Sequence, residues 1–227
     1  PTGNFGNILA AYYAKQMGLP VNKFICASNS NDVLTEFINT GVYNKNRDFY
    51  TTTSPSMDIL VSSNLERFLY HITDSDDRLV KEWMTSLKQN GNYDVGCDIR
   101  EKIGMLFYGG SCDDSATKTT IAELYKEDNY LCDTHTAVAI NVYNQYVSDT
   151  NDKTPCILAS TASPYKFCKT VLSACAPEIE ADSDEFAMTE LLNKVTDVKI
   201  PQPIAELKGK EKRFDNSIEK SDMADFI

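Results

Sequence analysis

The order of helix and strand signals predicts an α/β chain, part of a doubly wound, mainly parallel sheet of three layers that lacks its N-terminal half. Short buried-strand runs at 23–27, 103–108 and 155–159 alternate with helical segments. The polar or glycine-bearing loops after these runs open helices, the arrangement in which ligands collect at the strands' C-terminal ends. The chain also starts on such a loop, Pro1-Thr2-Gly3-Asn4-Phe5-Gly6-Asn7, with no strand before it. Residues 1–227 are therefore expected to be the C-terminal part of a catalytic domain in a longer protein.

The first helix, about 7–17, is apolar almost all round through Ile8, Leu9, Ala11, Tyr12, Tyr13, Ala14 and Met17, so burial on most sides is expected. Gly18 and Pro20 stop it. After the strand at 23–27, Ser28-Asn29-Ser30-Asn31-Asp32 breaks the run and caps a helix of about 33–39. Residues 42–64 are rich in Thr, Ser, Asn and Tyr, and the hydroxyls of 51–58 suit a solvated connector and a ligand-facing loop equally. Helices follow at about 64–71 and 76–89, the second with Leu79, Trp83 and Leu87 on one face and Gly91 beyond its end.

The strand at 103–108 is expected to turn at Gly109-Gly110-Ser111-Cys112-Asp113-Asp114 into a helix of about 115–127. Asp133-Thr134-His135-Thr136 caps the next helix, buried through Val138, Ile140, Val142, Tyr143 and Tyr146. The run Pro155-Cys156-Ile157-Leu158-Ala159 reads as a buried strand that ends in Ser160-Thr161-Ala162-Ser163-Pro164 and a helix of about 165–173. The acidic stretch 178–185 and Val198-Lys199-Ile200-Pro201 read as a surface loop leading to a C-terminal tail.

Composition narrows the classes of partner. Of 227 residues, 42% are hydrophobic, enough for a real core. Thirty-three acidic against 22 basic residues give a net charge of −11, which argues against nucleic acid or an anionic membrane surface as partner. No apolar run approaches the ~20 residues of a membrane span, and the N-terminus is not a signal peptide. Seven scattered cysteines without a C-x-x-C pair suggest free thiols in a reducing cytoplasm. No metal site is expected, because His71 and His135 lie at no ligand spacing.

The sharpest chemical signal is the opening turn. Gly3 and Gly6 are expected to let the backbone curl around an anion, while the following helix adds unpaired N–H groups and its positive dipole end. Two further loops, 133–136 and 160–163, are expected at the same rim. They supply a His/Thr pair and a hydroxyl pair, and together the three suit a phosphorylated small molecule or cofactor.

The wording of these segments resembles the threonine synthases, pyridoxal-phosphate enzymes that convert O-phosphohomoserine and water to threonine and phosphate. The resembling stretches are PTGNFGNILAAYYAKQMGLPV (1–21), ASNSNDVLTEF (27–37), TSPSMDILVSSNLERFLY (53–70), DTHTAVA (133–139) and STASPYKF (160–167). Their order and spacing are similar to the second half of the long form of that enzyme. The resemblance implies the large domain of a fold type II pyridoxal-phosphate enzyme. It implies that Gly3, Asn4, Phe5, Gly6 and Asn7 bind the cofactor phosphate and that Thr161 meets the pyridine nitrogen. Asn29, Asn31, Asp32, Asp133, His135, Thr136 and Ser160 would line the active site. Ser163 stands where similar enzymes commonly carry His, and Asn7 where many carry Asp. The family's Schiff-base lysine lies upstream of the phosphate turn, so the resemblance implies no catalytic residue in this chain, a missing N-terminal half as partner, and an inactive fragment. Other fold type II lyases, such as serine/threonine dehydratases, typically have a glycine-run phosphate loop instead. A non-catalytic α/β module that binds a phosphorylated metabolite or a partner is the remaining alternative.

Overall fold

Parallel pairing of two central strands organises the computed structural model, which describes residues 1–179, 184–211 and 213–226. In chain order the elements are α1 (Gly6–Gln16), β1 (Phe24–Ser28), α2 (Val33–Thr40), β2 (Val42–Asn44), α3 (Leu65–Ile72), α4 (Asp77–Asn90) and β3 (Asn92–Asp94). They continue with α5 (Gly96–Leu106), β4 (Phe107–Ser111), α6 (Asp114–Asp128), α7 (Thr134–Thr150), α8 (Cys168–Cys175), α9 (Glu185–Thr196) and the short α10 (Gln202–Ala205) and α11 (Met223–Phe226). Strands β1 and β4 pair from Phe24↔Phe107 to Ser28↔Ser111, and β2 pairs antiparallel with β3.

Two glycines on β4 explain how helices cover both faces of the parallel pair. A Cβ on Gly109 would meet Thr35 and Ile38 of α2 at 3.2 Å, and one on Gly110 would meet Val142 of α7 at 2.7 Å. Consecutive strand residues face opposite sides, so α2 and α7 lie on opposite faces and the α/β/α layering follows. The larger core joins α1, α2, α3 and α4 through Leu9, Phe37, Phe68 and Trp83. A second cluster, with Ile121, Val171, Leu172 and Leu192, joins α6, α8 and α9.

Several expectations are corrected. Residues 103–106 close α5 and are not a strand, while Gly109 and Gly110 lie inside β4 and are not a turn. Ile99, Ile103 and Leu106 recur at helical spacing, and Ile103 is fully buried, so the helical period overrides the local strand propensity there. Residues 155–159 form no strand, and Ile157 is 95% exposed. An isolated run cannot satisfy its backbone N–H and C=O groups in a ladder, and among the described residues no strand lies beside it. Helix α1 is buried only through Leu9 and Tyr12, since the core packs against one side; Ala10 and Met17 are exposed. The region expected to be loop and tail contains α9, whose Met188 and Leu192 enter the second core. Residues 180–183 of the expected acidic loop lie outside the described residues. All seven cysteines are free, and no described helix is long and apolar enough to cross a membrane.

Candidate functional site

Helix α1 starts without a cap. Its N-cap residue Phe5 has φ 60° and ψ 14°, the left-handed region, and no side chain accepts from the first turn. Among the described residues no hydrogen bond reaches the N–H of Phe5, Gly6, Asn7 or Ile8; the first one used is Leu9 N–H to Phe5 O at 3.1 Å. A left-handed residue followed by a helical one turns successive N–H groups into one concavity, and the helix dipole adds positive potential there.

Left-handed geometry in a non-glycine residue costs about 1–2 kcal/mol. It persists here because the Phe5 ring is 1% exposed and packs 5.6 Å from Phe68 and 5.7 Å from Phe107, centroid to centroid. The glycines act differently from expectation, since neither Gly3 nor Gly6 has positive φ. Gly3 is required by contact: a Cβ would lie 3.0 Å from Met57 Cα and 3.1 Å from Ser56 O. Gly6 has room, with Asn64 Nδ2 at 3.5 Å.

The loop carrying Ser56 binds the expected site segments together. Asn29 Nδ2 donates to Thr52 Oγ1 at 2.8 Å and to Asp58 Oδ1 at 2.7 Å, and Asn31 Nδ2 donates to Asp58 Oδ1 at 3.0 Å and Tyr50 O at 2.8 Å. The same carboxylate accepts from Thr52 N–H at 2.9 Å, so Asp58 is the hub of the loop. On the far side, Asp114 at the start of α6 accepts from Thr53 Oγ1 at 2.8 Å. Asn29 and Asn31 are thus buried structural ties. Asp32 faces elsewhere: instead of capping α2 it pairs with Arg47 at 2.6 Å, and Arg47 also contacts Glu36.

Asp133 caps α7 by accepting from the backbone N–H of His135 at 2.8 Å and Thr136 at 3.3 Å, and it also accepts from the Thr136 hydroxyl. His135 Nε2 accepts from Ser56 N–H at 3.2 Å, which leaves Nδ1 as the protonated nitrogen, 3.2 Å from Asp133 Oδ1. Phe167 holds the imidazole, with ring centroids 4.9 Å apart. With both nitrogens engaged, His135 links α7 to the Ser56 loop. Thr136 Oγ1 lies 2.8 Å from Ser160 Oγ, which brings the third loop to the same rim. Thr161 and Asn7 are exposed, and their side chains have no hydrogen-bond partner among the described residues. The three expected loops do converge, and the hydroxyl segment 51–58 joins the glycine turn to 133–136. Ser56 and Asp58 were hidden in the sequence by a polar run without periodicity, although the density of hydroxyls there was visible.

Burial pulls the Asp133 carboxyl upward, but hydrogen bonds from the His135 and Thr136 side chains and both backbone amides outweigh it and hold the pKa below the ordinary 3.8. A lowered carboxyl pKa stabilises the fold above the unfolded value, and that contribution is lost as pH falls through the folded value. Asp133→Asn is therefore expected to flatten the acid limb of the stability curve below the ordinary carboxyl value while leaving the limb above it parallel. Thermal midpoints measured across the acid range check this; an unchanged acid limb contradicts the assignment.

Residues 136–227 match the family model described as "Threonine synthase, C-terminal". The chain is similar to the threonine synthases. It is 44% identical to human threonine synthase-like 1 over 77% of this chain and 23% of that protein. Against the threonine synthase of Saccharomyces cerevisiae it is 35% identical, over 88% of this chain and 41% of the relative. A crystal structure of yeast threonine synthase superposes with a TM-score of 0.74 at 31% identity, over 91% of this chain and 47% of that one. A pyridoxal-phosphate-bound threonine synthase from Brucella melitensis gives 0.73 at 32%, over 87% and 46%. The chain thus spans less than half the length of these relatives. The likeness to solved threonine synthases accounts for the α/β/α layering seen here.

Proposed function

We propose that residues 1–227 are the C-terminal part of the pyridoxal-phosphate domain of a threonine synthase, which converts O-phospho-L-homoserine and water to L-threonine and phosphate in the cytoplasm. The observation that carries this is the open cluster of N–H groups at Phe5, Gly6, Asn7 and Ile8, which fits a phosphate monoester. Gly3 and Asn4 shape the turn, and a side chain at Gly3 would disturb it.

Pyridoxal phosphate, when bound, supplies the electron sink for chemistry at the amino acid's carbons. This chain's residues would hold its phosphate on the turn and set the Thr161 hydroxyl against the ring nitrogen. Being neutral, that hydroxyl does not keep the nitrogen protonated as a carboxylate would. Asp133, His135, Thr136 and Ser160 keep the rim in place through their hydrogen bonds.

Lys15, Lys23, Lys166 and Lys169 are committed elsewhere or face solvent. Lys23 Nζ donates to Gly104 O at 2.9 Å and Met105 O at 3.0 Å, Lys15 bonds Val21 O, and Lys166 and Lys169 are exposed. The chain alone is therefore expected to bind cofactor weakly and to be inactive, with the upstream half of the same protein supplying the lysine. Joined to that half and given pyridoxal phosphate, it should show the visible absorbance of bound cofactor and release phosphate from O-phosphohomoserine. If neither signal appears in the joined protein, the enzyme reading fails and a non-catalytic phosphate-binding module takes its place. Thr161→Ala in the isolated chain should leave phosphate binding nearly unchanged.

A further inference from the structure

The open N–H cluster depends on one peptide plane, that between Asn4 and Phe5. In a trans peptide the carbonyl and the N–H point in opposite directions, so whatever holds the Asn4 carbonyl also aims the Phe5 N–H. The Asn4 carbonyl is held from the N-cap of α3: Asn64 Nδ2 donates to it at 2.7 Å and Asn64 N–H at 3.2 Å. Ser63 Oγ donates to Asn4 Oδ1 at 3.2 Å and secures the side chain as well. The Asn4 carbonyl only accepts, so Asn64 must turn its Nδ2 end toward it, and Arg67 fixes the amide in that orientation from the other end. Its Nη2 contacts Asn64 Oδ1, and a guanidinium only donates.

We propose that Asn64, oriented by Arg67, is a positioning residue for the anion turn: it fixes the Asn4–Phe5 peptide so that the Phe5 N–H joins those of Gly6 and Asn7 on a bound phosphate. The proposal rests on the reading of that turn as a phosphate site. It adds a segment, Ser63–Arg67, that forms no part of the glycine turn and whose side chains need not touch the ligand. Buried packing keeps the Phe5 ring in place, and Asn64 controls the tilt of its amide.

The test follows backbone amide resonances of the 227-residue chain during titration with inorganic phosphate and with pyridoxal phosphate. In the unaltered chain the Phe5, Gly6 and Asn7 amides should all shift. Asn64→Leu removes the side-chain donor without adding charge and leaves only the longer backbone bond; the Phe5 shift should shrink while those of Gly6 and Asn7 persist, and affinity should fall about tenfold. Arg67→Met should cause a smaller loss of the same pattern, and Arg67→Lys, which keeps a donor, should restore it. An Asn64→Leu chain that keeps the full Phe5 shift overturns the proposal, as does one that loses all three shifts in proportion to a fallen thermal midpoint. If Asn64→Leu fails to fold, Arg67→Met decides: a Phe5 shift identical to that of the unaltered chain overturns the proposal. No shift in the unaltered chain with either ligand removes the phosphate reading itself and the proposal with it, which is distinguishable from failure at Asn64 alone.

Discussion

Gly3→Val should abolish binding of phosphate and pyridoxal phosphate and destabilise the chain by about 3 kcal/mol. The cause is contact with backbone, not loss of conformational freedom. The first carbon of any side chain at position 3 would meet Met57 Cα at 3.0 Å and Ser56 O at 3.1 Å, and neither can rotate away. Relief requires the turn to separate from the Ser56 loop, which breaks the Ser56 N–H bond to His135 Nε2 and releases the linkage between α1 and α7. Gly6→Ala is the control. Its Cβ finds only Asn64 Nδ2, at the ordinary contact distance of 3.5 Å, so it should leave binding and stability nearly unaltered. Calorimetric titration together with urea unfolding measures both quantities. If Gly6→Ala is the more damaging of the two, the turn is held by backbone freedom at residue 6 and not by the contact at Gly3.

Asp58→Ala should have the next largest effect, a destabilisation of about 2–4 kcal/mol. Its carboxylate accepts from Asn29, Asn31 and both donors of Thr52, and alanine leaves those buried donors short of an acceptor. Asn29 and Asn31 are 1% and 4% exposed, so water does not readily replace the lost partner. Asp58→Asn retains one acceptor oxygen and should cost less. Because the loop carries Ser56 to both His135 and Gly3, phosphate affinity should fall with stability. Hydrogen exchange at Thr52 and Ser54 should accelerate more than exchange in α4. Protection at Thr52 equal to that of the unaltered chain would show that the Asn29 and Asn31 contacts to Ser54 and Tyr50 suffice without the carboxylate.

Helices with a clear period and a stop signal were legible from the sequence. For α4, the apolar face of Leu79, Trp83 and Leu87 and Gly91 beyond the end gave the helix; the structure places the left-handed terminator at Gly91 and shows Asp76 as the cap. For α7, Asp133 gave the start, and Val138, Val142 and Tyr146 are buried as expected, while Ile140 and Tyr143 are only partly covered. Harder to read were segments whose local pattern served a distant contact. Gly109 and Gly110 look like a turn because glycine disfavours strands, yet they lie in β4 because α2 and α7 approach too closely for any side chain. The 155–159 run has strand composition but no neighbour to complete a ladder, and composition carries no information about neighbours.

The sequence by itself determined the fold class, the family resemblance and most helices, and it singled out the first turn as the candidate anion site; all of these depend on local periodicity, capping and motif wording. Only the tertiary structure decided how that turn is held. Phe5, not a glycine, takes the left-handed position because its ring is locked between Phe68 and Phe107. Gly3 is needed because Met57, 54 positions along the chain by residue number, presses against it. Asn64 aims the peptide because α3 folds back beside Asn4. These are contacts between residues far apart in the chain, and they arise when burial of the shared core brings the segments together.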